Sequence, residues 1–331
     1  MNWIRPITMD DFSLFVKLVE KAQVGLSSLP LDHTYLEKRI EDSIRVWEDP
    51  DYDGSYLFVL EDNDSGLVGC CGISPRTGGE HPFYTFELNH EIHPPTQLTR
   101  REHHPFVKLL KVFQGPTEIG SLFLDPNYRR KGVGKLLSYS RFLFMANFPS
   151  CFRTEVIAEI RGMISPEGHS PFFEAIGKHF FDMEFPYVDY ITSLNKELLQ
   201  DLLPRHPIYI NLLSQAARDC VGKVHTLTQG ACKMLEQQGF KPKNWIDVFD
   251  AGPVLSANLF EIALVKESKV LEVDSKVRAH TKPCFISNVA KNFRAIFEDV
   301  PYDENKIELT PFQQEILNIG LGDKVRIWEG G

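Results

Sequence analysis

Glu118-Ile-Gly-Ser-Leu-Phe-Leu-Asp-Pro-Asn-Tyr-Arg-Arg-Lys-Gly-Val-Gly-Lys-Leu-Leu137 reads as a buried strand, a basic glycine loop and the first turns of an apolar helix. Ile119, Leu122, Phe123 and Leu124 have strand character, and Asp125-Pro126-Asn127 ends the run, because proline donates no ladder hydrogen bond and asparagine tolerates turn geometry. Arg129, Arg130 and Lys131 then lead into Gly132 and Gly134. Without side chains there, a pyrophosphate could approach the backbone N–H groups of a helix start. Four cations between Arg129 and Lys135 oppose the helix dipole, which favours an anion site over a solvated charge run. The competing reading is a tight strand-to-helix turn.

The chain has 331 residues, is 43% hydrophobic and can bury a sizeable core; its length favours about two domains. Its net charge of −9 repels polyanions, which argues against nucleic acid or an anionic membrane as partner and for a small charged ligand. No apolar run approaches the ~18 residues of a membrane span, and the start lacks the pattern of a secretory signal. A cytoplasmic protein is expected. Cys70, Cys71, Cys151, Cys220, Cys232 and Cys284 form no CxxC pair and read as reduced core thiols. No zinc, EF-hand or Walker pattern occurs, so no metal is expected; His103-His104 and His90-x-x-His93 are too few ligands for a site.

Patterning outward from the glycine loop predicts a first strand over 2–7, then a helix capped by Asp10 or Asp11 with Phe12, Phe15, Val16 and Val19 at helical spacing. A second helix is expected from His33 to about Trp47, and a hairpin turning at Asn63-Asp-Ser-Gly66. Further strands are expected at 83–92, 106–113 and 154–160, with a helix from Gly132 to about Phe148. Residues 170–239 read as mostly helical and 245–249 as strand. The fold class expected is α+β, a mixed sheet flanked by helices over 1–251, with a small all-β C-terminal subdomain over 252–331.

The loop Arg129-x-x-Gly132-x-Gly134 resembles the acyl-CoA-binding motif of the GNAT acyltransferase superfamily. Other stretches resemble the arginine N-succinyltransferase family: Gly25-Leu-Ser-Ser-Leu-Pro30, Leu122-Phe-Leu-Asp-Pro126, Ser140-Arg-Phe-Leu-Phe-Met145, Ala158-Glu-Ile-Arg-Gly162, His206-Pro-Ile-Tyr209 and Asn244-Trp-Ile-Asp-Val-Phe-Asp-Ala-Gly-Pro253. The segment Phe83 to Gly115 departs from that family's pattern. The resemblance implies a GNAT-like fold with an extra C-terminal β subdomain, and transfer of succinyl from succinyl-CoA to the α-amine of arginine, sometimes ornithine, in arginine catabolism. It also implies an acyl-CoA contact at Leu122 and a proton donor at His225. Oligomerisation, with itself or a second subunit, stays open. So do two other readings, an N-acyltransferase of another small amine and a non-catalytic acyl-CoA-binding subunit.

The chemistry needs a neutral amine held against a thioester, a donor for the oxyanion and a proton for the leaving thiolate. The backbone N–H near Leu122 suits the oxyanion; Leu124, Arg129, Arg130, Gly132 and Gly134 suit the rest of the CoA. Histidine titrates near neutral pH, as a donor should, and His225 lies at a helix start. Glu118 begins the strand where superfamily members often carry a base acting through water; the alternative is a solvated strand-end carboxylate. Glu155 and Glu159 share a strand face by even spacing and, with Glu118, could form an acidic pocket for a guanidinium, or instead pair with Arg153 and Arg161. Ser27 and Ser28 suit a substrate carboxylate or a simple turn. A covalent acyl-cysteine through Cys70, Cys71 or Cys151 is disfavoured by their apolar settings, so direct transfer is expected.

Overall fold

A computed structural model describes residues 1–22, 26, 28–49, 52–92 and 103–330. Ser27 and His93 lie outside the described residues. The strands are β1 (Asn2–Pro6), β2 (Tyr56–Asp62), β3 (Gly66–Ser74), β4 (Gly78–Ile92), β5 (His103–Gln114), β6 (Thr117–Leu124), β7 (Glu155–Glu159), β8 (Ile208–Tyr209), β9 (Lys241–Ile246), β10 (Pro253–Asn258), β11 (Lys269–Asp274), β12 (Thr281–Asn288), β13 (Ala295–Pro301), β14 (Lys306–Glu308) and β15 (Lys324–Glu329). They form one mixed sheet in the order β14-β11-β15-β12-β13-β1-β2-β3-β6-β7-β10-β9-β4-β5-β8. With helices on its faces this is the expected α+β class.

Three helices frame the centre: α1 (Phe12–Ala22), α2 (His33–Glu48) and α3 (Val133–Asn147). The entry to α1 is at Thr8 rather than at Asp10 or Asp11. Asp11 is inside the first turn, where its carboxylate accepts from Thr8 N at 2.8 Å and from both terminal nitrogens of Arg5 at 2.6 and 2.8 Å. In α2, Leu36 and Ile40 face the sheet, and Asp32 caps the start by accepting from Tyr35 N at 2.8 Å. α3 is buried nearly all round, so it lies in the main core instead of on a surface. Each fully buried phenylalanine there, such as Phe142 or Phe144, contributes about 1.5–3 kcal/mol from apolar burial.

β10 follows directly on the boundary expected at 251/252. Its residues pair in register with all of β7, from Val254 opposite Glu159 to Asn258 opposite Glu155, so 253–258 belong to the central sheet. The strand closes the sheet between β7 and β9. The C-terminal strands begin at β11 and join the sheet through β13 on β1, with Trp3 opposite Ile296. They carry one short helix, Pro311–Leu317, capped by Thr310. They also share α3: Tyr139 meets Phe285 at 5.4 Å and Trp328 at 5.7 Å.

Candidate active site

β6 and β7 are the parallel neighbours at the centre, and only Thr117 with Val156 and Glu118 with Ile157 are in register. Beyond these pairs β6 runs on to Leu124 without a partner on β7, so the two strands splay apart. On its other edge β6 is irregular. Gly120 pairs with Gly72 and Phe123 with Cys70, leaving Ser121 and Leu122 against Cys71 alone, the two-to-one count of a β-bulge. Ser121 takes a positive φ of 51°. Such a bulge takes backbone out of the ladder and re-aims it, here beside the open gap. Gly69 and Gly72 make the close approach possible: a Cβ at Gly69 would stand 2.9 Å from the carbonyl oxygen of Phe123.

Two cavities meet at the gap. The larger, about 260 Å³, is walled by α2 through Tyr35 and Arg39, by Tyr84 of β4, and by Asp189 and Lys196. The smaller, about 160 Å³, includes Leu122, Ile160, Thr228 and Ala231. Both share Ser28, Glu118, Gly120, Ser121, Glu159 and Asp247. Ser28 and Ser121 hydroxyls are 3.1 Å apart. Gly120 leaves room above Glu118, since a Cβ there would reach only within 3.8 Å of Oε1.

The shared floor is acidic. Burial pushes the Glu118 carboxyl above the usual carboxylate range, against the pull of Lys196 and Arg39. Burial raises Glu159 further, helped by the neighbouring charges of Glu118, Asp247 and Asp250. Asp250 is pushed up to about 8, by burial first and Asp247 second, with Arg161 opposing. Both glutamates are part-exposed to solvent through the cavity, so they are accessible to a ligand. Of the acidic pocket expected at Glu118, Glu155 and Glu159, the structure brings together the first and last. Glu155 pairs with Lys243 at 2.5 Å, and Arg161 pairs with Asp189 at 2.9 Å and Asp250 at 3.4 Å. Arg153 lines a different cavity.

From Glu118 to Leu124 is about 20 Å of strand at ~3.3 Å per residue, and the turn at 126–128 then delivers the glycine loop. Arg129, Arg130 and Lys131 are exposed; Arg130 lies 4.0 Å from Asp62 and 5.5 Å from the Tyr128 ring. The two glycines differ. Gly132 has φ 88°, and a Cβ there would meet the Phe297 ring at 2.6 Å, so the tight-turn reading accounts for it. At Gly134 the nearest atom to a Cβ would be Leu124 Cδ2 at 3.8 Å, which leaves the helix start open. Leu122 and Leu124 therefore lie on the line joining the acidic floor to the basic loop.

His225 lies off the cavity floor. It opens a short turn, where its Nδ1 accepts from Leu227 N at 3.2 Å and its Nε2 lies 3.2 Å from the carbonyl oxygen of Ile164. Its own N–H reaches the carbonyl of Arg161 at 2.9 Å, and Thr228, three residues on, lines the smaller cavity.

The family model described as arginine N-succinyltransferase beta subunit matches residues 2–264. The chain belongs to the arginine N-succinyltransferase family. An arginine N-succinyltransferase of Citrobacter koseri is 37% identical over 337 residues, covering 99% of this chain and 97% of that protein. One from Escherichia coli strain SE11 is 36% identical over 334 residues, with the same coverage. The solved structure of arginine/ornithine succinyltransferase subunit AI from Pseudomonas aeruginosa superposes with a TM-score of 0.91 at 30% identity, covering 100% of this chain and 99% of that one. In this family member the residues that sequence reasoning missed are Arg39, Lys196, Asp189 and Asp247. They come from separate helices and loops, and no local spacing marks them.

The thiols offer no nucleophile at the floor. All six cysteines are unbridged, and burial pushes Cys70 well up and Cys71 up to about 11. Among the described residues one group, His169, Glu174 and Glu184, gathers metal-ligand atoms within 4.8 Å, and Lys178 already sits 3.0 Å from each carboxylate. No described helix is long and apolar enough to cross a membrane.

Proposed function

We propose that the chain transfers succinyl from succinyl-CoA to the α-amine of arginine, forming an amide and CoA, at the junction of the two cavities. The observation that carries this is the run of β6 from an acidic floor, past a bulge at Ser121 and Leu122, to an open helix start at Gly134. Family membership at 37% identity over the whole length supplies the acyl group and the acceptor. The CoA diphosphate lies at Gly134 with Arg129 and Arg130, and Gly132 shapes the turn. The thioester sits beside Leu122, its arm passing Leu124 in the gap between β6 and β7.

Glu118 is the base. Its raised pKa lets it accept a proton from the substrate ammonium nearer neutral pH than an ordinary carboxylate could. The amine then attacks the carbonyl carbon, backbone N–H at the bulge stabilises the oxyanion, and the C–S bond breaks. His225 serves the leaving sulfur. Because Leu227 N–H can only donate, Nδ1 must be the acceptor and Nε2 carries the proton. In that tautomer Nε2–H donates a hydrogen bond to the thiolate once it exchanges Ile164 for sulfur; of the two protons the ammonium loses on becoming an amide, the one taken by Glu118 before attack passes to solvent and the one shed after attack balances the one finally gained by CoA. CoA release measured with succinyl-CoA and L-arginine tests this: turnover is expected, and none with arginine or ornithine would overturn it.

A further inference from the structure

The charged side chains around Glu118 do not pair with one another. Among the described residues, the side chains of Glu118, Glu159, Arg39 and Lys196 all line the larger cavity, and none makes a hydrogen bond within 3.5 Å or an ion pair within 4.0 Å. Elsewhere the same fold closes its charges directly, as Arg5 does on Asp11 and Lys21 on Asp125. Arg39 is the sharpest case: its Nε is shielded from solvent and has no acceptor. A shielded donor without an acceptor is a cost that a ligand oxygen would remove.

Arg39 and Lys196 act on one carboxylate, Glu118. A ligand that sets its amine on Glu118 and also answers these cations must carry an anion very near that amine. An α-amino acid does so through a single carbon. The terminal carboxylate of a succinyl group is two methylenes from the reacting carbonyl, and Arg39 lines the larger cavity but not the one containing Leu122.

We propose that Arg39, assisted by Lys196, binds the α-carboxylate of the acceptor, so that the site selects an α-amino acid over an amine of equal length lacking that group. The inference rests on the transferase reading above. Planar, two-pronged donation makes arginine suited to a carboxylate, whereas lysine offers only a point charge.

The test compares L-arginine with agmatine, which is arginine without its carboxylate, in the wild type and in Arg39→Gln and Arg39→Lys. The wild type is expected to favour arginine in kcat/KM by about 100-fold or more, as a site built around a polar group rejects the analogue lacking it. At pH values above the acidic limb, where Glu118 is ionised with or without the pull of Arg39, Arg39→Gln should lower kcat/KM for arginine about 100-fold, mainly through KM, and leave agmatine within about 3-fold. Arg39→Lys should recover part of the loss. Equal losses for both amines would overturn the proposal, as would a loss seen with succinyl-CoA but not with acetyl-CoA, which would assign Arg39 to the acyl group. Retained CoA binding by calorimetry establishes that a variant is folded, and Arg39→Lys carries the comparison if Arg39→Gln does not fold. If the wild type transfers succinyl to neither amine, the transferase reading fails by itself. Calorimetric arginine binding that weakens tenfold or more in Arg39→Gln then still supports the role of Arg39, and unchanged binding overturns it.

Discussion

Nε2 of His225 points to the carbonyl oxygen of Ile164 at 3.2 Å, which ties the turn at 225–228 to the segment following β7. The ring thus has a structural task, as the cap of its turn, beside the proposed catalytic one.

Asparagine can keep the cap, because its side-chain oxygen accepts a backbone N–H, but it cannot reach with an imidazole Nε2–H. His225→Asn is therefore expected to melt close to the wild type and to lose about 100-fold in kcat, the scale of one donor at a developing anion. Steady-state kinetics and a thermal melt check both halves. A variant with full kcat would reduce His225 to the cap.

Glu118 must be ionised to take a proton, and burial holds its pKa above the ordinary carboxylate value. The rate should therefore fall as pH drops through that raised pKa. Glu118→Gln should lower kcat by about 10²–10⁴-fold and abolish this acidic limb of the pH profile. An unaltered limb would assign it to another group.

Glu159 carries the larger upward shift, from burial first and then from neighbouring carboxylates. Its folded pKa exceeds its unfolded one, so between the two the native state holds more protons, and stability declines as pH rises through that window. Glu159→Gln should match the wild type at pH values below the ordinary carboxylate pKa and be the more stable protein at alkaline pH. Thermal melts across pH measure this directly, and parallel curves for the two proteins would refute it.

The two loop glycines should separate stability from binding. Gly132→Ala puts a side chain into φ 88° and against Phe297, and is expected to cost about 1–2 kcal/mol or more in folding. Gly134→Val sets its Cβ in ordinary contact with Leu124 Cδ2 at 3.8 Å, so it should leave the melting temperature nearly unchanged while raising KM for succinyl-CoA about tenfold by blocking the approach of phosphate. A Gly134→Val protein with unchanged KM would move the phosphates elsewhere.

Local chemistry made the glycine loop and the 63–66 hairpin legible, because glycine, proline and small polar residues constrain the chain where they stand. Period two placed Glu159 on the face that meets Glu118. The same period placed Glu155 there too, and only the neighbour Lys243 decides that it turns to an ion pair instead. Arg39 carried no signal, since nothing in residues 33–48 shows that Tyr35 and Arg39 face a cavity built from β3, β4 and β6. The β-rich character of the chain beyond residue 252 was legible but the pairing of β10 with β7 was not, because pairing is a property of two distant segments.

The ring of Phe297 against Gly132 has a temporal consequence. The turn that shapes the glycine loop is braced by a strand synthesised more than 160 residues later. A nascent chain still lacking β13 has the glycine loop but not its support, so the CoA grip proposed for this loop would arrive only near the end of translation. For the same reason a protease cut that removed the last strands would disarm the loop without touching a residue of the acidic floor.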